Sequence, residues 1–416
     1  MDLVKKILNV LFLKSSDRMR QKRLLLLGGI RYLLPVIKAA HAQGYHVITA
    51  DYIPDNIAHK FSDEYVNVNI IDKEAVLEVA KEKAIDGIMS FGVDPGVVAA
   101  AYVAEKMGLP SPGPYRSIEI LQNKNLFRKF LKDNGFNVPW AKSFSSIEDA
   151  LSYEFSYPVI VKPTDSAGSK GVSRVDSPDQ LALALENAFF HSIKGKVIVE
   201  AFIEKEGCSS DTDCFSVDGE FRFVSFSSQR FDEFAANPYT PAAYTWPSTF
   251  TQVQEEYLTS ELQRLISLLG MRTSIYNVET RIGRDGKPYI MEVSPRGGGN
   301  RLAEMIRYST GVDMITACVQ AMLGDPFYPI MQRPYNGFWA EVILHAEKGG
   351  IFRSVEIEDS IRPYLVEEDI WVKKGDIIRE FKGANDAIGT LIMRFDTDDT
   401  MQTIISSQND WLRILI

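Results

Sequence analysis

Apolar and polar positions alternate most cleanly between Ser274 and Ser294. Read as two strands, this stretch puts Tyr276, Val278, Ile282, Tyr289, Met291 and Val293 on one face and Asn277, Glu279, Arg281, Glu292 and Ser294 on the other. Asp285-Gly286 between them is a strong hairpin signal. A two-residue turn there pairs residues whose numbers sum to 571, so Glu279 faces Glu292 and Asn277 faces Ser294. The apolar face belongs on a core, and the polar face then floors a site. Like charges directly opposite cost up to roughly 1 kcal/mol. A cation between the two glutamates is therefore expected, which makes Glu279 and Glu292 candidate metal ligands.

Earlier in the chain the period changes. Leu24–Leu27 reads as a buried strand, Tyr32–Gln43 as a helix stopped by Gly44, and His46–Ala50 as the next strand. Helix Lys73–Ala84 and strand Asp86–Phe91 follow. Such alternation predicts an open parallel α/β domain over residues 24–115, closed by the Pro/Gly-rich Leu109–Tyr115. A helix Ser117–Asn134, the strands Val159–Lys162 and Val197–Phe202, a hairpin around Asp218-Gly219 and a helix Gln254–Leu269 break strict alternation, which predicts an α+β domain over 116–330. Strand-like Trp339–His345 and Ile370–Val372, with the turn Lys374-Gly375-Asp376, predict a small β-rich domain over 331–416. The loop Phe231–Phe250, with five aromatic residues among Pro and Ala, is read as a pocket wall, a lid or simple loop packing. Residues 1–23 read as a basic amphipathic helix, packed on the first domain or set against a membrane surface or partner.

Composition narrows the chemistry. A net charge of −9 without a basic stripe argues against nucleic acid. Three cysteines without metal spacing suit a reducing cytoplasm, and five scattered histidines offer no zinc motif. No segment is long and apolar enough for a transmembrane span. Ile30 and Leu33 stand where a dinucleotide fingerprint needs glycine, which argues against NAD.

Tyr157–Val172 runs from a strand, through Lys162, into a loop holding Ser166, Gly168, Ser169 and Gly171. Glycines that admit a ligand to the backbone, beside an ammonium group, suit a polyphosphate; as an isolated feature the loop is equally an ordinary flexible hairpin. No Ser/His/Asp or Cys/His set is present, which fits chemistry by positioning and charge neutralisation.

Together, the lysine with its glycine loop and the pair Glu279…Glu292-Val293-Ser294-Pro295-Arg296 resemble the ATP-grasp superfamily, of the carboxylate–amine or L-amino-acid ligase kind. The resemblance implies ATP held between two α+β subdomains, with a flexible lid over about 140–205. It implies phosphate contacts from Lys124, Lys162, Ser166, Gly168, Ser169, Gly171 and Val172. Val197–Ile203 matches the adenine hinge, read by Glu200, Ala201 and Ile203. The usual ribose carboxylate is missing at Gly207 and Cys208, and Glu206 or Asp211 would substitute. Glu279, Glu292 and Ser294 are implied metal ligands, Ser294 replacing the usual asparagine, with Asn277 opposite to supply an amide. Lys162, Arg281 and Arg296 are the implied catalytic residues. The cofactors implied are ATP and Mg2+, with Mn2+ as a substitute ion. Small-molecule carboxylate and amine substrates are the implied partners, and a homodimer is a compatible assembly. The function implied is ADP-forming ligation through an acyl phosphate. Bicarbonate-dependent carboxylation or carbamoyl-phosphate synthesis, or nucleotide binding without turnover, are the alternatives.

Overall fold

The computed structural model describes residues 20–166, 168 and 170–416. Most of the helix expected over 1–23 lies outside these residues, and Arg20, Gln21 and Lys22 lead into the first strand without helix. The parallel sheet expected at the start is present. Strands β1 (Arg23–Leu27), β2 (His46–Asp51), β3 (Glu64–Asn67) and β4 (Gly87–Ser90) order as β3-β2-β1-β4, all parallel. Helix α1 (Leu34–Ala42) packs on one face, and α2 (Lys73–Glu82) with α3 (Asp94–Met107) on the other, so the leucines of β1 are fully buried.

The single helix expected over Ser117–Asn134 is two helices, α4 (Tyr115–Gln122) and α5 (Lys124–Asp133). Asn123 leaves the helical region, and its side chain accepts from the backbone N–H groups of Asn125 and Leu126. This N-cap ends one helix and starts the next, and it puts Lys124 at the first position of α5.

Next comes a four-stranded sheet, β5 (Ala141–Phe144), β6 (Val159–Pro163), β7 (Ser173–Val175) and β8 (Val197–Ala201), in the order β5-β8-β6-β7. Helix α6 (Leu181–His191) covers one face. A second antiparallel sheet orders β10-β9-β13-β14, from β9 (Ser210–Val217), β10 (Glu220–Phe223), β13 (Ser274–Ile282) and β14 (Pro288–Ser294). Its apolar face packs against α4, α5 and α7 (Gln252–Leu268), the last opened by a capping box at Thr251.

The segment Phe231–Phe250, expected as a loop, contributes strand instead. β11 (Ser228–Phe231) and β12 (Pro241–Trp246) join β15 (Phe338–Leu344) and two later strands, Leu365–Ile370 and Gly389–Phe395, in one five-stranded antiparallel sheet. The sheet therefore crosses the boundary expected at 330/331. Ala-Ala-Tyr-Thr-Trp lets Tyr244 and Trp246 face helix α8 (Leu302–Thr310) while Ala243 faces the opposite core. Among the described residues no helix is long and apolar enough to cross a membrane.

Candidate functional site

The hairpin β13–β14 pairs Glu279 with Glu292 and Asn277 with Ser294, as expected, but not by the expected turn. Gly283 N–H donates to the Lys287 carbonyl at 2.9 Å, and Gly286 has φ +74°, so three residues form the turn rather than two. That shifts the register by one: Arg281 pairs with Tyr289 and Ile282 with Pro288. A bulge between Glu279 and Thr280 on one strand, at Met291 on the other, shifts it back. Two departures cancel, and the acidic pair stays opposed. Between turn and bulge the β14 assignment changes. Ile290, not Met291, faces the core, and Tyr289 lies opposite Arg281.

The side chains of Glu279 and Glu292 are 33% and 36% exposed, open enough to take a ligand. Lys124 Nζ stands 3.4 Å from Glu292 Oε2 and donates to the Ser166 carbonyl at 3.1 Å. Burial opposes its charge, yet Glu292 and Asp94 outweigh burial and raise its pKa above the ordinary lysine value. Gly168 and Gly171 have φ of +67° and +71°, the left-handed region glycine enters without cost. A Cβ on Gly171 would lie 2.9 Å from His191 Cβ, so close packing also requires glycine there. Val172 follows directly, just ahead of β7; Ser169 lies outside the described residues.

Lys162 leaves β6 toward a fully buried Glu200, with Nζ to Oε2 at 2.6 Å. Arg128, which sequence reading missed, approaches the other oxygen at 2.8 Å and donates to the carbonyl of bulge residue Met291 at 2.8 Å. The Glu200 carboxylate is therefore engaged within the protein rather than turned to the adenine pocket expected of it: both its oxygens face cations. Burial raises its pKa, but Arg128 and Lys162 override this and hold it at about 2. Lys162 moves the other way. Burial pushes its pKa down, and Glu200 does not make up the loss, because Arg128 and Lys124 repel the same charge. Arg128 was detectable in principle, four residues after Lys124 on one helical face.

On the hinge, Ala201 N–H donates to the Trp140 carbonyl at 2.8 Å, and the Ile203 carbonyl accepts from Arg281 at 3.1 Å. Arg281 also reaches Ser209 Oγ at 3.2 Å and lies 3.9 Å from Glu279. Glu206 is exposed, and its backbone N–H donates to Ile282. Asp211, the other expected ribose substitute, is half-buried and pairs across the sheet with Glu279 instead, accepting from Asn277 at 2.7 Å and Tyr244 at 3.1 Å. Burial and then Glu279 push its pKa up to about 7. Asp213, two residues on, accepts from Gly298 N–H at 2.8 Å and is likewise pushed up to about 7, chiefly by burial.

Two further assignments change. Ser294 does not turn its hydroxyl toward the glutamates. It accepts from Gln122 at 2.7 Å and donates to Asp94 at 2.9 Å. Arg296 is not free for a substrate: it grips Asp94, in the first turn of α3, through Nε at 2.8 Å and Nη2 at 2.6 Å. Burial disfavours the Asp94 anion, and Arg296 overcomes it, lowering the pKa. The pair locks the first domain to the Gly-rich loop after β14, across 202 positions of sequence.

The described residues hold no group of three or more His, Cys, Asp or Glu side chains arranged for a metal. Two opposed carboxylates do fit a hard divalent cation that keeps waters and takes further oxygens from bound phosphates. A hard cation bound there would neutralise phosphate charge. Glu279 and Glu292 would hold it, and Lys124 and Lys162 flank the same space.

Comparison with known proteins identifies the fold that surrounds these residues. Residues 121–300 match the family model described as an ATP-grasp domain. The carbamoyl phosphate synthase large chain of Thermotoga sp. (strain RQ2) is 23% identical over 307 residues, 71% of this chain and 27% of that one. Its counterpart from Ralstonia nicotianae is 23% identical over 330 residues, 75% of this chain and 30% of the relative. The chain thus spans under a third of the length of these curated relatives. Among solved structures, L-amino acid ligase from Bacillus licheniformis superposes with a TM-score of 0.80 at 22% identity, covering 95% of this chain and 99% of that one. Phosphoribosylglycinamide synthetase from Anaerococcus prevotii gives 0.73 at 22%, covering 95% and 100%. These likenesses establish the fold. The opposed glutamates, the two lysines and the glycine loop all lie within residues 121–300, the segment that matches the ATP-grasp domain.

Proposed function

We propose that this chain is an ATP- and Mg2+-dependent ligase that joins a carboxylate to an amine and releases ADP and phosphate. The observation that carries the reading is the opposed pair Glu279 and Glu292, with Lys124 and Lys162 converging on the same cleft. The carboxylate oxygen attacks the γ-phosphorus, the bond to the β-phosphate oxygen breaks, and ADP leaves with that electron pair. The amine then attacks the acyl carbon, phosphate leaves, and the amine's proton passes to solvent or base. Phosphoryl transfer asks the protein to position groups and neutralise charge. Lys162, which shares its counter-ion Glu200 with Arg128, suits the phosphates. Arg281, beside Glu279 and the hinge, is the site arginine left without a bidentate carboxylate. The fold likeness to an L-amino acid ligase favours amino-acid-like substrates.

A nucleotide-binding protein without turnover is the second reading, favoured by the neutralisation of Arg296 by Asp94. A phosphate-release screen of pooled carboxylates and amines, with mass detection of products, separates the two. ATP-dependent condensation supports the ligase. Tight ATP binding with no phosphate released by any pool supports the second reading and removes the first.

A further inference from the structure

One buried carboxylate has no partner, although donors surround it. Glu341 lies midway along β15, paired with Tyr244 of β12 on one side and Ile392 on the other. On the sheet face it shares, Tyr244, Trp246, Trp339, Ile343 and Ile392 pack against Leu302 and Met305 of α8, with the buried side chains of Gln229 and Thr390 beside them. Glu341 is fully buried, and neither of its oxygens has a hydrogen-bond partner among the described residues. The charges of Arg301, Glu304, Asp211 and Glu367 act on it from the surrounding elements.

Three nearby donors point elsewhere, and Trp246 Nε1 on the same face also has no partner among the described residues. Tyr244 donates to Asp211 at 3.1 Å, and Tyr32 donates to Asn300 Oδ1 at 2.8 Å. The Arg301 guanidinium is divided among Glu304 at 3.1 and 3.3 Å, Glu367 at 2.6 Å and Thr390 at 3.1 Å. Burial pushes the Glu341 carboxyl well above the usual carboxylate range, so with nothing bound it keeps a proton. A buried polar group left unpaired is a net cost to the fold. Cost without a structural return marks a group kept for a ligand.

The position supports this. Tyr32, Arg301 and Glu304, which interact electrostatically with Glu341, line a hollow together with Phe91 and Gly298, where the first domain meets the loop after Arg296. Asn300 and Arg301 in that loop are consecutive non-glycine residues with φ of +49° and +57°, strain of the kind found beside bound ligands.

We propose that Glu341 receives the ammonium group of the acid substrate, so that the carboxylate activated by ATP belongs to an amino acid or a similar ammonium-bearing acid. This rests on the ligase reading above. On binding, the carboxyl releases its proton to solvent and pairs as an anion with the ammonium. An ammonium held this way keeps its own proton and has no free lone pair. It is therefore not the nucleophile that displaces phosphate, which assigns it to the acid substrate.

The test compares common L-amino acids with their 2-hydroxy-acid counterparts, using the full chain with Mg2+. With a non-hydrolysable ATP analogue, an amino acid should raise the melting temperature of the wild type and its hydroxy acid should not. Glu341→Gln, nearly isosteric, should lose that shift. With ATP, Glu341→Gln should raise KM for the amino acid at least about tenfold, the scale of a charged hydrogen bond, with kcat largely kept and the hydroxy acid unaffected. Without ligand, Glu341→Leu should melt higher than the wild type. Discrimination between the two acids retained in Glu341→Gln, or a lower ligand-free melting temperature in Glu341→Leu, overturns the proposal. A wild type that releases no phosphate with any acid overturns the ligase reading alone. The melting shifts then still decide whether Glu341 recognises the ammonium.

Discussion

Replacing Glu200 with glutamine leaves Arg128 and Lys162 facing each other in a buried site with no anion between them. Gln is nearly the shape of a protonated glutamate, so the substitution isolates the charge. In the folded chain the carboxyl is held at about 2 against an ordinary 4.5. That displacement corresponds to about 3 kcal/mol of stability linked to ionisation, within the range for breaking a buried pair. Glu200 is fully buried, so solvent screening does not reduce it. The sign follows from a depressed pKa: the contribution is complete above the unfolded value and fades as pH falls toward the folded one. Urea unfolding followed by circular dichroism should show Glu200→Gln less stable than wild type by about 3 kcal/mol at pH 7. The gap should narrow to about half of that at pH 3. Nucleotide affinity at pH 7 should also fall, because Lys162 loses the one anion that keeps it charged. An equal gap at both pH values would show that the charge of Glu200 does not stabilise the cleft. No gap at all would refute the buried triad.

Other substitutions read other parts of the cleft. Glu292→Ala should leave the melting temperature within a few degrees of wild type, because the side chain is partly exposed. It should abolish the Mg2+ dependence of ATP binding in calorimetric titrations, and retained Mg2+ dependence would remove the metal assignment. Asn123→Ala should cost about 1 kcal/mol, the usual value of a lost N-cap, measured by urea unfolding. It should also weaken ATP binding, because Lys124 opens the capped helix and its backbone N–H donates to Thr164 at 3.1 Å. Unchanged ATP affinity would uncouple the cap from the phosphate lysine.

What the sequence revealed and concealed divides along a physical line. Periodicity and glycine marked the parallel sheet, the glycine loop and the acidic hairpin, because each is decided within about twenty residues. The hairpin also shows how a local rule succeeds by accident. Asp285-Gly286 suggests a two-residue turn, yet Gly283 widens it, and only the bulge at Met291 restores the pairing of Glu279 with Glu292. Alternation cannot foresee a bulge, which is why Tyr289, Ile290 and Met291 exchange places. The helix break at Asn123 was legible as a capping residue before Lys124, but the amphipathic run across it masked the signal. Distant partners leave no local mark. Glu200 and Arg296 have the residue types of ligand readers, and only folding reveals that Arg128 and Asp94 engage them.

The two phosphate lysines show why such partners matter. Lys124 and Lys162 are the same residue type at one cleft, the first half-buried and the second buried, yet their pKa values move in opposite directions. Lys124 has the attraction of Glu292 and Asp94. Lys162 must share Glu200 with Arg128 and is repelled by Lys124. An arriving polyphosphate therefore stabilises the charge of Lys162 most, since that lysine is short of negative charge in the free protein. A divalent ion drawing on Glu292 would take charge away from Lys124 and leave that lysine, too, in need of phosphate oxygens. Metal and nucleotide should for this reason bind with positive coupling, each raising the other's affinity by the same factor. The coupling should vanish in Glu292→Ala because one residue connects the two sites.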